Sequence, residues 1–391
     1  MFLFYKFQRM NKGEGLKMPE IKSKDHSIEL VRIIACLLVI MAHSQLGVVE
    51  SNAIVSGRLA FSTFIADDVP LFLLVTGFFL FGRIKSDSDI IQVFPYKAKS
   101  FLSRVYIPTI VYILISIFYR YFTEHLPSIA NADWDYLGRF IFRLAPGDHL
   151  WYICTYMSFI FFFPMLAFVC QDNPQKNKLR RILLGIAIAG AVVGDIQYFF
   201  KMSMFELDKF LWGYCTIFLI LGYELSLFIR KFDERQKKLF AIGVITYLLG
   251  FFIKFGLQNY MFTEYGYVNN RFRWLQCSPC FITATGMFIT VYALGKIIKD
   301  NSIATRIINY IGSCTFAIYL FHMLVIGATR TWQRELIGRF DSARTFFDAA
   351  AYYISFALAV FGVALVVAII FKYVVEKPVE KLFSKKAPRQ A

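Results

Sequence analysis

The sequence predicts an all-α integral membrane protein, a bundle of about ten transmembrane helices with both termini on the cytoplasmic side. Three observations carry this. The chain of 391 residues is 57% hydrophobic and 18% aromatic, with a mean hydropathy of +0.52. Its apolar residues gather in runs near the ~20 residues that a bilayer requires. Its basic residues collect in alternate connectors, which is the pattern of positive-inside topology. A soluble domain of this length does not carry so many long apolar runs.

The predicted spans are Ser27–Val49, Val69–Phe81 (with a possible earlier start at Leu59), Phe101–Phe122, Leu150–Cys170, Ile182–Phe200, Phe210–Ile229, Leu239–Phe255, Cys277–Leu294, Ile307–Ala328 and Ala349–Val375. Residues 27–378 are read as one membrane domain, with basic tails at 1–26 and 379–391. Met1–Lys24 shows no cleavage-type pattern, so the first run is expected to span rather than to be removed.

Charge sets the orientation. The N-terminal tail carries Lys6, Arg9, Lys12, Lys17, Lys22 and Lys24. The even-numbered connectors carry Arg83, Lys85, Lys97 and Lys99, then Lys176 to Arg181, then Arg230 to Lys238, then Lys296, Lys299 and Arg306. The C-terminal tail carries Lys377, Lys381, Lys385, Lys386 and Arg389. These five regions are assigned to the cytoplasm. The same pattern accounts for the net charge of +16, so membrane lipid rather than nucleic acid is the expected partner.

Five of the seven cysteines sit in apolar runs, and Cys277-Ser-Pro-Cys280 is a lone CxxC. Zinc needs more ligands than this, so no metal is expected.

The chemistry concentrates in the first span. Arg32 and His43 bracket ten uncharged residues. Eleven residues give about 16.5 Å of helical rise and close to three full turns, so both side chains share one face. Ionisable groups at membrane depth are costly and usually face a polar interior. A neutral imidazole takes a proton from a hydroxyl near neutral pH, which suits His43 as a general base. The alternative is a hydrogen bond between helices. A guanidinium suits phosphate, which fits Arg32 near the cytoplasmic leaflet; snorkelling or an i,i+3 pair with Glu29 is the plainer reading.

Other candidates follow by depth. His322 lies about 15 residues into the ninth span, near the level of His43, and His149 stands at the outer mouth of the fourth. Three histidines are thereby expected to approach one outer cavity. His322 suits a second acid/base or a structural donor toward Tyr319. Asp67 and Asp68 suit either a sugar acceptor or a solvated helix start. Arg271 and Arg273, with Trp274, suit a sugar or pyrophosphate or an interfacial anchor. Arg104, Lys97 and Lys99 suit phosphate or ordinary positive-inside charge.

At these residues the chain resembles the membrane-bound acyltransferase-3 family of bacterial surface polysaccharide O-acyltransferases. Glu29, Arg32 and His43 resemble that family's acidic residue, arginine and histidine in its first span. Leu-Val-Thr76-Gly77-Phe78-Phe79 is similar to its apolar-Ser-Gly-Phe pattern, with Thr for Ser. Lys97 through Arg104 and Pro108 resemble its basic stretch before a proline. His149-Leu150-Trp151-Tyr152 resembles the opening of a middle span, Tyr319-Leu-Phe-His322 a late span, and Glu376-Lys377-Pro378 the end of the last.

The resemblance implies ten core spans, a cytoplasmic acyl-CoA co-substrate (acetyl-CoA foremost), and an acceptor hydroxyl on a saccharide or lipid-linked glycan. It implies catalysis by His43 and importance of Arg32. Alongside them, Tyr319 and His322 are candidate oxyanion donors or proton carriers; Arg32, Arg104, Lys97 and Lys99 are expected at the donor, and His149, Trp151, Asp68, Arg271 and Arg273 at the acceptor. Glu29, Thr76, Gly77, Glu376 and Pro378 are assigned to structure. Transfer of succinyl or another acyl group, or to a non-sugar acceptor, is the enzymatic alternative. A glycan or lipid transporter with a histidine proton relay is the other, although such folds show internal repeats that this chain lacks.

Overall fold

The computed structural model describes residues 25–43, 56–81, 84, 86–123, 134–138, 141, 148–202, 213–266, 270–273, 275–300, 302–333, 335 and 346–384. The predicted N-terminal tail before Asp25, Arg83 and Lys85, Trp274, the 336–345 connector and the last seven residues lie outside them.

The described residues are helical, with no strand among them. Lipid offers no hydrogen-bond partner to the backbone, so each apolar run satisfies its own amides by coiling. In chain order the helices are α1 (His26–His43), α2 (Ser56–Ile65), α3 (Asp68–Leu80), α4 (Asp87–Phe101), α5 (Ile107–Thr123), α6 (Trp151–Phe161), α7 (Phe163–Val169), α8 (Pro174–Phe199), α9 (Gly213–Ile229), α10 (Gln236–Tyr265), α11 (Pro279–Ile297), α12 (Ile303–Gly312), α13 (Thr315–Ala328), α14 (Phe346–Phe371) and α15 (Lys377–Ser384). A π-helical turn, Leu102–Tyr106, joins α4 to α5, and a second, Lys372–Glu376, joins α14 to α15.

Seven of these stretches are long and apolar enough to cross a membrane, or up to nine if each of two bent pairs is one span. The remaining expected span, the sixth, corresponds to α9, which has 17 described residues. The two bends are 71° between α6 and α7 and 62° between α12 and α13. Pro164, in the first turn of α7, lacks the amide that would continue α6. At the second bend Ser313 and Cys314 separate the helices.

α1 is the central helix. It packs against α3, α11, α12, α13 and α14, and Ile28, Val31, Ala35, Cys36 and Ile40 are almost fully buried. Its foot is fastened at the basic end of the bundle. His26 Nε2 donates to Gly295 O at 3.0 Å, and Lys296 pairs with Asp25 at 3.1 Å.

Small residues let the helices approach, as expected where lipid provides no hydrophobic drive. α3 and α9 cross backbone to backbone. A Cβ at Gly77 would overlap the Leu219 carbonyl, and one at Gly222 would overlap that of Leu74. Gly77→Ala should therefore force the two helices apart. Overpacking costs about 1–3 kcal/mol or more, so the variant should melt well below wild type in detergent. An unchanged melting temperature would show that this crossing tolerates a side chain.

Candidate active site

One cavity of about 620 Å³ opens among α1, α3, α4, α6, the α12–α13 break and the foot of α14. At the basic end it is lined by Glu29, Arg32, Lys97, Arg104, Lys372, Glu376, Lys377 and Glu380. Deeper walls carry Phe72, Val75, Thr76, Tyr152, Tyr156, Phe316 and Tyr319. Charge gathers at one end, and apolar rings with hydroxyls occupy the other.

The cations are mostly matched. Arg32 meets Glu29 at 3.3 Å, with its guanidinium 5.8 Å from the Phe79 ring centroid. Its side chain is 35% exposed, against 8% for Glu29. A Cβ at Gly312 would overlap the Glu29 carboxylate, so glycine lets that carboxylate sit against the α12–α13 break. Arg104 pairs with Glu380 at 2.9 Å, both well exposed. Lys97 lines the cavity, whereas Lys99 is exposed outside it.

The deep wall is fixed by hydroxyls. Thr76 Oγ1 donates to Phe72 O at 2.8 Å and accepts from the Tyr152 hydroxyl at 2.9 Å. Thr keeps the hydroxyl that Ser would supply.

Beyond Tyr319 lie three imidazoles. The His43 and His322 ring centroids are 5.3 Å apart, and those of His149 and His322 are 5.0 Å apart. The Tyr319 ring meets His149 edge-on and His322 at a tilt, with centroids 5.6 and 5.8 Å away. The three histidines singled out by depth are thus neighbours, brought together by the end of α1, the turn before α6 and the middle of α13. His43 is half-buried, His149 buried, and His322 fully so.

Carbonyl partners fix two tautomers, because a carbonyl only accepts. His322 Nδ1–H donates to Tyr319 O at 2.6 Å, so its Nε2 carries a lone pair. That atom is buried without a hydrogen-bond partner among the described residues. His149 Nε2–H donates to Leu320 O at 3.2 Å, which leaves His149 Nδ1 in the same condition. Buried polar nitrogens are normally satisfied, so each of these two lone pairs retains the capacity to accept a hydrogen bond. The Tyr319 hydroxyl donates to His149 O. A phenol has one proton to give, so in this arrangement Tyr319 orients His149 rather than facing an oxyanion.

The other predicted site residues lie elsewhere. Trp151 is half-buried beside Tyr152 and does not line the cavity. Asp68 is buried at the start of α3. Arg271 pairs with Asp195 at 3.1 Å and donates to the Tyr214 hydroxyl at 3.2 Å. Asp195 also accepts from Ser278 N at 2.6 Å, so Asp195 ties α8 to the α11 entry while Arg271 joins it to Tyr214 of α9. Arg273 ends the short helix Asn270–Arg273. Pro378 is exposed in the first turn of α15.

Two features of the structure leave little trace in the sequence. Asp67, read as a sugar ligand or helix start, forms a fully buried ion pair with Lys254 at 2.9 Å. Thr283 and Cys280 donate to the same carboxylate oxygen, at 2.7 and 3.3 Å. A lone lysine inside the apolar run Gly250-Phe-Phe-Ile-Lys254-Phe was the available signal. Lys372, whose side chain lines the cavity, had none beyond its position near the end of the last span.

The fold and site define a polytopic helical membrane protein with a cation-mouthed cavity that reaches Tyr319, whose ring lies beside a histidine cluster. A family model described as an acyltransferase domain matches residues 25–373. The chain belongs to this acyltransferase-3 family, and is a membrane acyltransferase. No curated protein and no solved structure matches it.

Proposed function

We propose that this enzyme moves an acyl group, foremost acetyl, from cytoplasmic acyl-CoA to a hydroxyl of a cell-envelope saccharide or lipid-linked glycan. The observation that carries the proposal is the single cavity joining Arg32, Lys97 and Arg104 to Tyr319, beside His43 and His322. The charge pattern supports a cytoplasmic location for the basic mouth.

The residues fit a CoA thioester. Its phosphates match the basic mouth, and guanidinium forks bind them with two hydrogen bonds. Its narrow arm matches the deeper wall of rings and hydroxyls. About 16.5 Å of helix separates Arg32 from His43, which spans the distance from a phosphate to a thioester along an extended arm. A cavity of a few hundred Å³ is also the usual scale for such a ligand.

Proton movement follows from the cluster. His43 takes the acceptor hydroxyl's proton as its oxygen attacks the thioester carbonyl. The C–S bond breaks, the ester forms, and the proton goes to the departing thiolate. His322, with a lone pair on Nε2, is the second proton carrier. His149 is held by Tyr319 and lies on the acceptor side.

Arg32→Ala tests the donor end. Losing one charge-assisted contact should weaken binding of a CoA analogue roughly 10- to 100-fold, measured by calorimetry on the purified protein. Unchanged affinity would remove Arg32 from phosphate recognition.

A further inference from the structure

Lys372 is a cavity cation that the mechanism above leaves without a role. It opens the π-helical turn between α14 and α15, and such turns recur at functional sites. Its ammonium donates to the Ser313 hydroxyl in the α12–α13 break and to Cys314 Sγ at 3.7 Å. The Tyr310 ring centroid lies 5.2 Å away. An ammonium has three donors, so one remains beyond these two contacts.

Charge is the stronger argument. Arg32 is matched by Glu29 and Arg104 by Glu380. Lys372 makes no ion pair among the described residues; its partners are a hydroxyl, a thiol and a ring. Glu376, one turn on, lines the same cavity and feels the Lys372 charge, but no ion pair closes between them among the described residues. A half-buried ammonium on a cavity wall whose hydrogen-bond partners are both neutral, and which the nearby Glu376 carboxylate attracts without closing an ion pair, still has room for an anionic ligand.

Position adds to this. Gly312 packs on Glu29, the partner of Arg32, and Ser313 packs on Lys372. Both cations are therefore tied to the α12–α13 junction, Arg32 of α1 through Glu29 against Gly312 and Lys372 at the foot of α14 through Ser313. A CoA thioester carries a diphosphate and a separate phosphomonoester, so two cation stations on different elements match its charge layout.

We propose that Lys372, held by Ser313, is a second phosphate-positioning residue for the acyl donor, tied with Arg32 to the α12–α13 junction. This rests on the acyl-CoA reading given above.

The test compares acetyl-CoA with acetyl-pantetheine, a thioester without phosphate, as donors for wild type, K372Q, K372R and R32A. K372Q should raise KM for acetyl-CoA roughly tenfold and leave kcat unchanged. Its kcat/KM with acetyl-pantetheine should equal that of wild type, and K372R should recover most of the loss. Equal losses with both donors would mean that Lys372 only braces the break, which overturns the proposal. If R32A discriminates between the donors and K372Q does not, this proposal fails and the donor reading stands. If neither variant discriminates, the donor reading fails and takes this proposal with it.

Discussion

His43→Ala is expected to remove acyl transfer almost entirely while the protein still inserts and folds. General-base catalysis contributes about 10²- to 10⁴-fold, so the rate should fall by at least roughly 100-fold. His43 ends α1, on a half-buried position next to a helix end. Its imidazole is no part of the tightly packed lower core around Ile28 and Val31, so the deletion should cost little stability. Transfer from radiolabelled acetyl-CoA into membrane saccharide, with size-exclusion elution as the folding control, checks both halves. A variant that keeps more than a tenth of wild-type transfer would mean that another group takes the proton.

The second large effect concerns stability. Asp67 and Lys254 are fully buried, 2.9 Å apart, at the junction of α2, α3, α10 and α11. Removing one partner of a buried pair leaves an uncompensated charge and costs about 3–5 kcal/mol. Asp67→Leu alone should therefore lower the melting temperature sharply in detergent, because Lys254 then faces apolar helices. The double variant D67L/K254M removes both charges, and well-packed apolar replacements of buried pairs are often neutral. It should recover most of the loss. If the single variant is as stable as wild type, the pair does not hold this junction. If the double variant is no better than the single one, packing rather than charge governs the site.

Much of this architecture was legible in the sequence, and the physical reason is the bilayer. Hydrocarbon forces each spanning segment to be apolar and self-satisfied, so helices betray themselves by composition. The Arg32–His43 spacing put both residues on one face because helical periodicity is fixed. Depth then grouped His43 with His322, since both are counted from the same membrane surface. Gly77, assigned to structure beside the resemblance, makes the α3–α9 crossing possible.

The bends were not legible. Phe162 and Ser313–Cys314 interrupt helices without interrupting hydropathy, so Leu150–Cys170 and Ile307–Ala328 read as continuous. Pairings across the bundle were equally hidden. Arg271 suits an interfacial anchor or a sugar or pyrophosphate ligand by its place in the sequence, yet its partner Asp195 comes from 76 residues earlier. Asp67 finds Lys254 187 residues later. Sequence spacing carries no record of which helix faces which, so intramembrane charges announce that a partner exists without naming it. Tyr319 shows the same limit at the site itself. Its place three residues before His322 was readable, but its bond to the His149 backbone was not.

The proposed function requires α1 to present Arg32 to the donor's phosphates and His43 to the acceptor's proton, with the donor lying in the cavity that runs from Arg32 to Tyr319. An experimentally determined structure of the purified protein with a non-transferable CoA thioester analogue tests this most directly. The phosphates should lie at Arg32, with the arm running past Thr76 and Tyr152 and the thioester beside His43 and His322. Phosphates bound at the opposite end of the bundle, or an arm that leaves the histidines unreached, would contradict it.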